Sequence, residues 1–322
     1  KQKTAYEIYQ CDWSSDVCSS DLPDDLVTMI VDRRQVFLLG EVTSEVWVDV
    51  GSQISGLTTF PFQRIAGTST QYGCVAPYSV ARFGENFMFV SRSTLGQNVI
   101  GTISGYTFVR LSTHAVEQSL DDIDVTNAIA YSYKMEGHEF YVCTFPNADL
   151  TWVYDKTTEV WHKWLSWDAD NAVYYRHRSN CGCWFNNEFW VGDFENGKLY
   201  TLSDNVYTDN GNPIRRLRRA PHLTTDLQRQ FFDELQIQFQ PGVGLNNGQG
   251  QNPQAMLRWS NDGGSTWSNE HWVSIGKMGA YQNRAIWRRL GWSRDRIFEV
   301  VVSDPINAVI VSANLKASVG DN

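Results

Sequence analysis

The stretch Gly137-His138-Glu139-Phe140-Tyr141-Val142-Cys143 joins a turn to a short aromatic strand, and this pattern occurs four times in the chain. Each copy has three turn residues, mostly polar, and then four residues that are mostly aromatic or aliphatic. The other copies are Arg33 to Leu39, Gly84 to Val90 and Asn186 to Gly192. Their strands begin at residues 36, 87, 140 and 189, so the repeat is about 50 residues long. Short strands repeated at this period are typical of β-propeller blades.

Further strand patterns surround each copy. One apolar segment precedes it, at 27–31, 79–83, 128–134 and 181–185, and another follows it, at 46–48, 99–100, 152–154 and 199–200. Three repeats have a fourth segment, at 62–65, 108–111 and 160–164. The chain is therefore predicted to be all-β and to begin with about four visible four-stranded blades. Residues 27–205 show no pattern of a long amphipathic helix.

The first 22 residues do not share this pattern. Residues 1–8 (KQKTAYEI) and 11–22 (CDWSSDVCSSDL) read as the translated ends of a DNA-sequencing adapter, in order and in one frame. We therefore interpret residues 1–22 as a non-native, adapter-derived segment and exclude them from the fold. On this interpretation the native chain begins near Pro23 and is truncated at its N-terminus. The complete propeller then has more blades, and the truncated one exposes a strand edge.

The charge balance changes near residue 210. Residues 23–210 contain 12 Lys plus Arg and 23 Asp plus Glu, whereas residues 211–322 contain 13 and 9. Short alternating strand segments continue in this basic part, at 231–240, 256–259, 271–274, 285–288, 297–302 and 308–313. We predict a propeller domain over residues 23–210 and a C-terminal β-sandwich domain over residues 211–322.

The composition excludes several classes of protein. The 322 residues include 13 Trp, 14 Tyr and 16 Phe, so they can fill a sizeable core, and disorder is not expected. The longest unbroken apolar run is four residues, far below the ~18 that a membrane-spanning helix needs. We therefore expect no membrane segment and no membrane partner.

No residue pattern indicates a catalytic or metal centre. Cys181-Gly182-Cys183 has no two-residue spacer and no second pair, and the six histidines include no His-x-x-x-His pair. The sequence has no nucleophile elbow, P-loop or dinucleotide fingerprint. We predict a protein without enzyme activity, without catalytic or metal-binding residues and without a cofactor.

The C-terminal part contains an Asp-box, S-x-D-x-G-x-T-W, at residues 260–267 (SNDGGSTW). Its defining residues are Ser260, Asp262, Gly264, Thr266 and Trp267. In such a hairpin turn the aspartate caps backbone amides, the glycines allow positive φ and the tryptophan packs beneath. The box also occurs in sialidases, where it is a structural turn remote from the catalytic site. We interpret it as structural.

The Asp-box leaves one alternative function open, a β-propeller glycosidase or a glycan-binding module of the sialidase type. A glycosidase needs two carboxyl groups flanking the scissile bond. The candidates Asp121, Asp122 and Asp124 lie in one polar loop, and no arginine trio or tyrosine has the spacing of a sialidase. We interpret these aspartates as solvated loop residues.

Two arginine clusters stand out in this acidic chain. They comprise Arg215, Arg216, Arg218 and Arg219, and then Arg288, Arg289, Arg294 and Arg296. One interpretation is that these residues face a partner, either DNA or an acidic protein surface. The other is that they are solvated or form ion pairs between subunits, since no aromatic-interleaved nucleic-acid motif accompanies them.

Several segments in both predicted domains carry a family resemblance. They are Pro61 to Ile65, Gly73 to Val80, Arg110 to Ala115, Glu136 to His138, Thr151 to Asp155, Trp161-His162, Trp259 to Trp267, Trp287 to Gly291, Ser293 to Arg296 and Ser303 to Pro305. Through them, residues 23 to about 317 resemble the tail accessory factors, or tail hubs, of short-tailed phages, also called packaged-DNA stabilisation proteins.

This resemblance implies a structural protein of the virion tail that is assembled in the host cytoplasm. Members of the family resemble ring-forming subunits that dock below the portal and its adaptor, extend the DNA exit channel and retain packaged DNA. The implied partners are other copies of the chain in a ring, the portal and adaptor, tail spike or needle proteins, and DNA bound without sequence specificity. No active site is implied.

Overall fold

The computed structural model describes residues 24–51, 62–93 and 96–320. The adapter interpretation of residues 1–22 lies outside these described residues. The chain divides into two compact units. The N-terminal unit comprises the residues up to Leu165 and Tyr175–Leu202, and the C-terminal unit comprises Ser166–Tyr174 and the residues from Ser203 onward. The change of unit thus lies eight residues before the predicted boundary at 210, and residues 166–174 join the C-terminal unit.

The described part of the N-terminal unit contains four successive antiparallel sheets. The first consists of β1 (Leu26–Asp32), β2 (Gln35–Gly40), β3 (Ser44–Asp49) and β4 (Phe62–Arg64). The second consists of β5 (Tyr72–Cys74), β6 (Ala81–Phe83), β7 (Asn86–Ser93), β8 (Asn98–Ser104) and β9 (Thr107–Arg110). The third consists of β10 (Ile129–Met135), β11 (His138–Phe145), β12 (Leu150–Asp155) and β13 (Val160–Lys163).

A small hairpin separates the third sheet from the fourth. It pairs β14 (Leu165–Asp168) with β15 (Val173–Arg176). The fourth sheet then consists of β16 (Ser179–Phe185), β17 (Glu188–Asp193) and β18 (Leu199–Thr201). It has three strands in the described residues, whereas the repeat predicts four-stranded blades.

Helical structure is short in the described residues. The five-residue helix α1 (His114–Gln118) follows the second sheet, and 3₁₀ turns occur at Pro77–Ser79 and Pro146–Ala148. The first of these turns shortens the strand predicted at 79–83, because Pro77 fixes φ in the helical range and the strand begins only at Ala81. No helix in this part of the chain has the length and apolar character needed to cross a membrane.

Two-residue turns join the first pair of strands in the repeat. Arg33-Arg34, Glu136-Gly137 and Asn186-Asn187 each have positive φ at both residues, between 47° and 80°. This is the type I′ geometry that matches the twist of the flanking strands. The turns coincide with the turn residues of the sequence repeat, except that the turn before β11 begins at Glu136, one residue before the predicted start.

Apolar clusters pack each sheet of the N-terminal unit against the next. The cluster between the first and second sheets contains Phe37, Leu39, Val46, Phe87 and Phe89. The next contains Phe83, Met88, Tyr141 and Trp152, and the last contains Tyr131, Tyr133, Val142 and Phe189. The strand β10 also contacts β6 of the preceding sheet and β16 of the following sheet. Consecutive sheets therefore pack side by side in chain order, as propeller blades do.

The C-terminal unit is a sandwich of two antiparallel sheets. Its strands are β19 (Thr208–Asp209), β20 (Asn212–Pro213), β21 (Arg216–Arg219), β22 (Leu223–Thr224), β23 (Gln230–Phe239), β24 (Gln254–Ser260), β25 (His271–Ser274), β26 (Ala285–Arg288), β27 (Trp292–Ser293), β28 (Asp295–Val302) and β29 (Ile310–Val319). One sheet has the order β21-β28-β24-β25, with β22 also paired to β28. In the other, β23 lies between β29 on one side and β26 with β27 on the other.

The core of this sandwich follows the alternation of its strands. Phe232, Leu235 and Ile237 of β23 are buried, and they share one cluster with Leu257 and Phe298 of the other sheet. The all-β prediction is confirmed for the described residues of both units.

Candidate interaction surface of the C-terminal unit

The Asp-box forms the loop after β24, and its polar side chains bond to the loop itself. The Asp262 carboxylate accepts hydrogen bonds from the Thr266 N–H at 2.9 Å and the Thr266 hydroxyl at 2.6 Å. The Ser260 hydroxyl donates to Asp262 at 2.6 Å and accepts from the Gly264 N–H at 2.8 Å. The hydrogen bonds from Ser260 and Thr266 hold the pKa of Asp262 well below its usual range. The carboxylate therefore serves the turn.

The glycines and the tryptophan of the Asp-box complete this turn. Gly263 and Gly264 have φ of 73° and 99°, which residues with a side chain rarely adopt. The indole Nε1 of Trp267 donates to the Gly264 carbonyl oxygen at 3.0 Å. The tryptophan is thereby fixed against the loop that it follows.

The tryptophan also contacts two arginines that share one buried carboxylate. Arg219 Nη2 lies 2.6 Å from one oxygen of Glu299, and Arg258 Nε lies 2.5 Å from the other. The two guanidinium carbons lie 4.7 Å and 4.8 Å from the centre of the Trp267 ring. We call Arg219, Arg258, Trp267 and Glu299 the Glu299 cluster. Since Glu299 is fully buried, both of its oxygens need such partners.

Two members of the Glu299 cluster are absent from the sequence-based predictions. Glu299 is the single charge in the run Ile297 to Val302, and Arg258 is the single charge in the run Ala255 to Trp259. A charge inside a buried strand requires a partner, so each run carries a signal for a buried ion pair. The pairing itself could not be predicted, because the residues lie 41 positions apart.

The prediction that Arg296 faces a partner is wrong, because the residue is buried. Its side chain lies in the core, 2% exposed, with the guanidinium carbon 4.5 Å from the centre of the Phe232 ring. It donates to Asn261 Oδ1 at 2.9 Å and to the carbonyl oxygens of Leu290 and Trp292 at 2.5 Å and 3.1 Å. Burial lowers its pKa to about 10. Arg296 thus holds the Asp-box loop through Asn261 and does not face a partner.

Two more of the predicted arginines are largely enclosed. The guanidinium carbon of Arg215 lies 4.6 Å from the centre of the Trp167 ring, and the side chain is 16% exposed. Arg216 donates to the carbonyl oxygen of Ile306 at 2.6 Å, and burial lowers its pKa. Both side chains are engaged within the C-terminal unit.

Besides Arg219, whose side chain is half exposed, four predicted arginines are exposed. Arg288 pairs with Glu234 at 2.8 Å, and Arg294 donates to the Leu227 carbonyl oxygen at 2.7 Å. The other two, Arg218 on β21 and Arg289 in the loop after β26, are also exposed. The structure therefore brings Arg219 and Arg296 to the Asp-box and leaves these four arginines on the surface.

The acidic loop considered for a glycosidase pair has a local role in the described structure. Asp124 accepts hydrogen bonds from the Thr126 hydroxyl at 2.6 Å and the Thr126 N–H at 3.0 Å, and these lower its pKa. Asp121 and Asp122 are exposed. Among the described residues, no group of three or more His, Cys, Asp or Glu side chains could hold a metal ion.

Both units match models of one protein family. Residues 10–207 match the model described as the β-propeller of bacteriophage P22 Gp10, and residues 215–318 match the model described as its β-sandwich. The first match begins inside the segment interpreted as adapter-derived. Fold and matches together define a structural protein of the phage tail, and they confirm the predicted order of propeller and sandwich.

The chain belongs to the family of bacteriophage P22 Gp10. The predicted resemblance to tail accessory and packaged-DNA stabilisation proteins of short-tailed phages is confirmed, and the protein is a component of the virion tail. No curated protein matches the chain.

Solved structures of other proteins share only a distant similarity. The exo-β-1,3-galactanase of Phanerochaete chrysosporium is 9% identical with a TM-score of 0.23, covering 91% of this chain and 68% of the galactanase. An arabinoxylan arabinofuranohydrolase of Bacillus subtilis is 9% identical with a TM-score of 0.21, covering 91% and 66%. A mutant sialidase of Trypanosoma rangeli is 7% identical with a TM-score of 0.28, covering 85% and 66%. Similarity at this level carries no conclusion about function.

Proposed function

We propose that this chain is a subunit of a tail hub or nozzle that docks below the portal and its adaptor, extends the DNA exit channel and retains packaged DNA. The observation that carries this proposal is the family match, which extends over both units. The subunits form a ring, and their partners are the portal–adaptor complex and the spike or needle proteins of the tail.

Connections between the sheets of the N-terminal unit support a mechanical role. Beside the apolar clusters, Arg82 donates to the Val31 carbonyl oxygen at 2.6 Å, and the Tyr141 hydroxyl donates to the Ser79 carbonyl oxygen at 2.7 Å. The Gly84 N–H donates to Glu139 at 2.7 Å. Such cross-links between sheets favour a stiff unit, and stiffness suits a channel that holds DNA under pressure.

The exposed arginines Arg218, Arg288, Arg289 and Arg294 are the candidates for contact with DNA or with an acidic partner. Contact with DNA through phosphates weakens steeply with salt, because each neutralised phosphate releases counterions. Replacing Arg218, Arg289 and Arg294 together by glutamate is therefore expected to abolish binding to a random-sequence duplex in 50 mM salt, measured by fluorescence anisotropy. If the triple variant binds DNA like the unchanged chain, these arginines face protein.

The role proposed here is non-enzymatic. The Asp-box carboxylate is used by its own turn, and Asp124 is used by its own loop. These contacts favour the structural role over a glycosidase or a glycan-binding module. Turnover of a fluorogenic sialoside that a single carboxylate substitution abolishes would reverse this preference.

The central test is assembly. We expect the full-length gene product, expressed with its portal adaptor, to form rings in negative-stain images and oligomers in light scattering, with large surfaces buried between subunits. A product that stays strictly monomeric and never joins capsids would contradict the proposal.

A further inference from the structure

The edge strand β29 is long and almost entirely exposed. It pairs with β23 alone among the described strands, and nine of its ten residues are exposed. Ala313, Leu315 and Ala317 pair with Ile237, Leu235 and Phe232, whose side chains are buried. Directly paired residues of antiparallel strands project to the same face of the sheet. The three β29 side chains therefore point to the core side of the sheet without being covered there.

The other sheet edges of the C-terminal unit are protected differently. The edge strand β21 has four residues, of which three are arginines, and β25 and β26 also have four residues each. Short and charged edge strands resist pairing with another chain. Over its ten residues, β29 has a single charge, on Lys316. The strand β29 is therefore neither short nor highly charged, and it lacks these two protections against pairing with another chain.

The backbone of β29 offers hydrogen-bonding groups on its open side. The Gly320 N–H donates to the Arg229 carbonyl oxygen at 2.8 Å, which points it toward β23. The register on β29 then runs without interruption from Val319 to Ser312. Backbone groups of an antiparallel strand point alternately to its two sides. Those of Ala313, Leu315, Ala317 and Val319 thus point to the open edge.

A groove next to the start of β29 adds charge to this apolar edge. It has a volume of about 450 Å³, and its lining includes Phe239, Val302 and Ile310 together with Arg216 and Arg218. No aspartate or glutamate lines it in the described residues. Arg216 and Arg218 pair with Val302 and Val300, whose side chains are in the core, so both arginines lie on the core side of β21. An occupant of the groove therefore meets apolar side chains and positive charge.

We propose that the open edge of β29, with the adjoining groove, binds an extended segment of a partner polypeptide that alternates apolar side chains and carries a carboxylate. The segment adds an antiparallel or parallel strand to the sheet through the outward-pointing backbone groups of β29. Its core-side apolar residues cover Ala313, Leu315 and Ala317, and its carboxylate pairs with Arg218. This surface goes beyond the proposed ring, and its test does not require the ring to form.

The test uses a pair of peptides that differ in one charge. The first is a labelled ten-residue peptide that alternates valine and threonine, with one valine replaced by glutamate, and the second has lysine in place of that glutamate. We expect the glutamate peptide to bind the whole chain in fluorescence anisotropy, and to protect the amides of residues 313–319 in hydrogen exchange. We expect at least tenfold weaker binding of the lysine peptide.

Two variants separate the backbone contribution from the charge. Ala317→Pro removes an N–H on the open side and no bond to β23, so it is expected to abolish binding of both peptides while the circular dichroism spectrum stays unchanged. Arg218→Glu is expected to reverse the preference, so that the lysine peptide binds more tightly. The control Arg289→Glu, at an exposed arginine that does not line the groove, is expected to change neither affinity by more than twofold.

Three results would overturn the proposal. The first is the absence of peptide binding at millimolar concentration by the folded chain. The second is binding whose charge preference is the same with Arg218 and with Arg218→Glu. The third is self-association in sedimentation velocity that Ala317→Pro abolishes, since the occupant would then be a second copy of this chain.

Discussion

The interfaces of the N-terminal unit and the core of the C-terminal unit differ in chemistry. In the first, Phe37, Phe87 and Phe89 pack between neighbouring sheets. In the second, apolar side chains surround the guanidinium of Arg296. The carboxylate of Glu299, on the same strand, is also buried. The apolar clusters between the sheets use side chains at equivalent positions of each repeat. The buried charges of the sandwich need particular partners, and each partner is a separate point at which the unit can be broken.

The largest effect is expected from a break in an apolar interface between two blades. Phe89 is fully buried between the first and second sheets, with its ring centre 5.7 Å from that of Phe108. Phe89→Ala is expected to lower the free energy of unfolding of the N-terminal unit by about 3–5 kcal/mol, because it removes a large side chain and leaves a cavity. Hydrogen exchange in denaturant, read by mass spectrometry, measures this for each unit.

The control for this prediction is Phe185→Ala, at a phenylalanine of the fourth sheet that is 68% exposed. It is expected to change stability by less than about 0.5 kcal/mol. An equal loss from both variants, or destabilisation confined to peptides from 203–320, would contradict the idea that stability in the N-terminal unit comes from the interfaces between sheets.

A slightly smaller effect is expected from a break in the Glu299 cluster. Glu299→Gln keeps the shape of the side chain but leaves Arg219 and Arg258 without a carboxylate. Because the two arginines left behind are partly exposed, water compensates part of the loss, and the C-terminal unit is expected to lose about 1.5–3 kcal/mol. Unit-resolved hydrogen exchange checks the value.

The matched control for Glu299 is Glu234→Gln. It makes the same change from carboxylate to amide but breaks an exposed ion pair, with Arg288. Its expected effect is about 0.2–1 kcal/mol and decreases in 1 M salt. The interpretation of the Glu299 cluster as a stabilising buried ion pair fails if the two variants are equally stable. It also fails if high salt removes the effect of Glu299→Gln.

The difference between the two units also explains what could be predicted from the sequence. The blades were predictable because each one repeats the same turn and strands, and the strands pair with close neighbours such as Phe140 with Asp155. The Asp-box was recognisable because the side-chain hydrogen bonds of its defining residues lie within eight residues. The position of Arg296 was not predictable, since Asn261 and Phe232, which contact its guanidinium, lie far from it in the chain.

The unit to which residues 166–174 belong was unpredictable for a similar reason. Their strands have the alternation of a blade hairpin. The contacts of Trp167 and Tyr174 with Arg215, and the hydrogen bond from Ser166 to Asp209, link them to the C-terminal unit. A pattern of hydrophobicity defines a strand, whereas the partner of a strand depends on residues far along the chain. The positions of the strands can therefore be predicted from the sequence more easily than the unit to which each strand belongs.

The smallest effect concerns a device that both units share, a carboxylate that closes a turn. In the third sheet, Asp155 is almost completely buried and accepts hydrogen bonds from the Thr158 hydroxyl and His138 at 2.8 Å and from the Thr157 N–H at 2.9 Å. Burial raises the pKa of Asp155, but these hydrogen bonds lower it by more, so the pKa lies below its usual value. Asp262 has the same role in the Asp-box.

A lowered pKa gives the sign of the acid response. The stabilisation by Asp155 is fully present above the unfolded-state value of about 3.9 and is lost as the pH falls through the lower folded-state value. The difference in unfolding free energy between the unchanged chain and Asp155→Asn should therefore be largest near pH 5 and decrease toward pH 2. Asp262→Asn should show the same sign in the C-terminal unit, and Asp122→Asn, at an exposed loop position, is the control. A difference that grows on acidification would show that the charged carboxylate does not stabilise the turn. The two units would then not share a turn closed by a carboxylate.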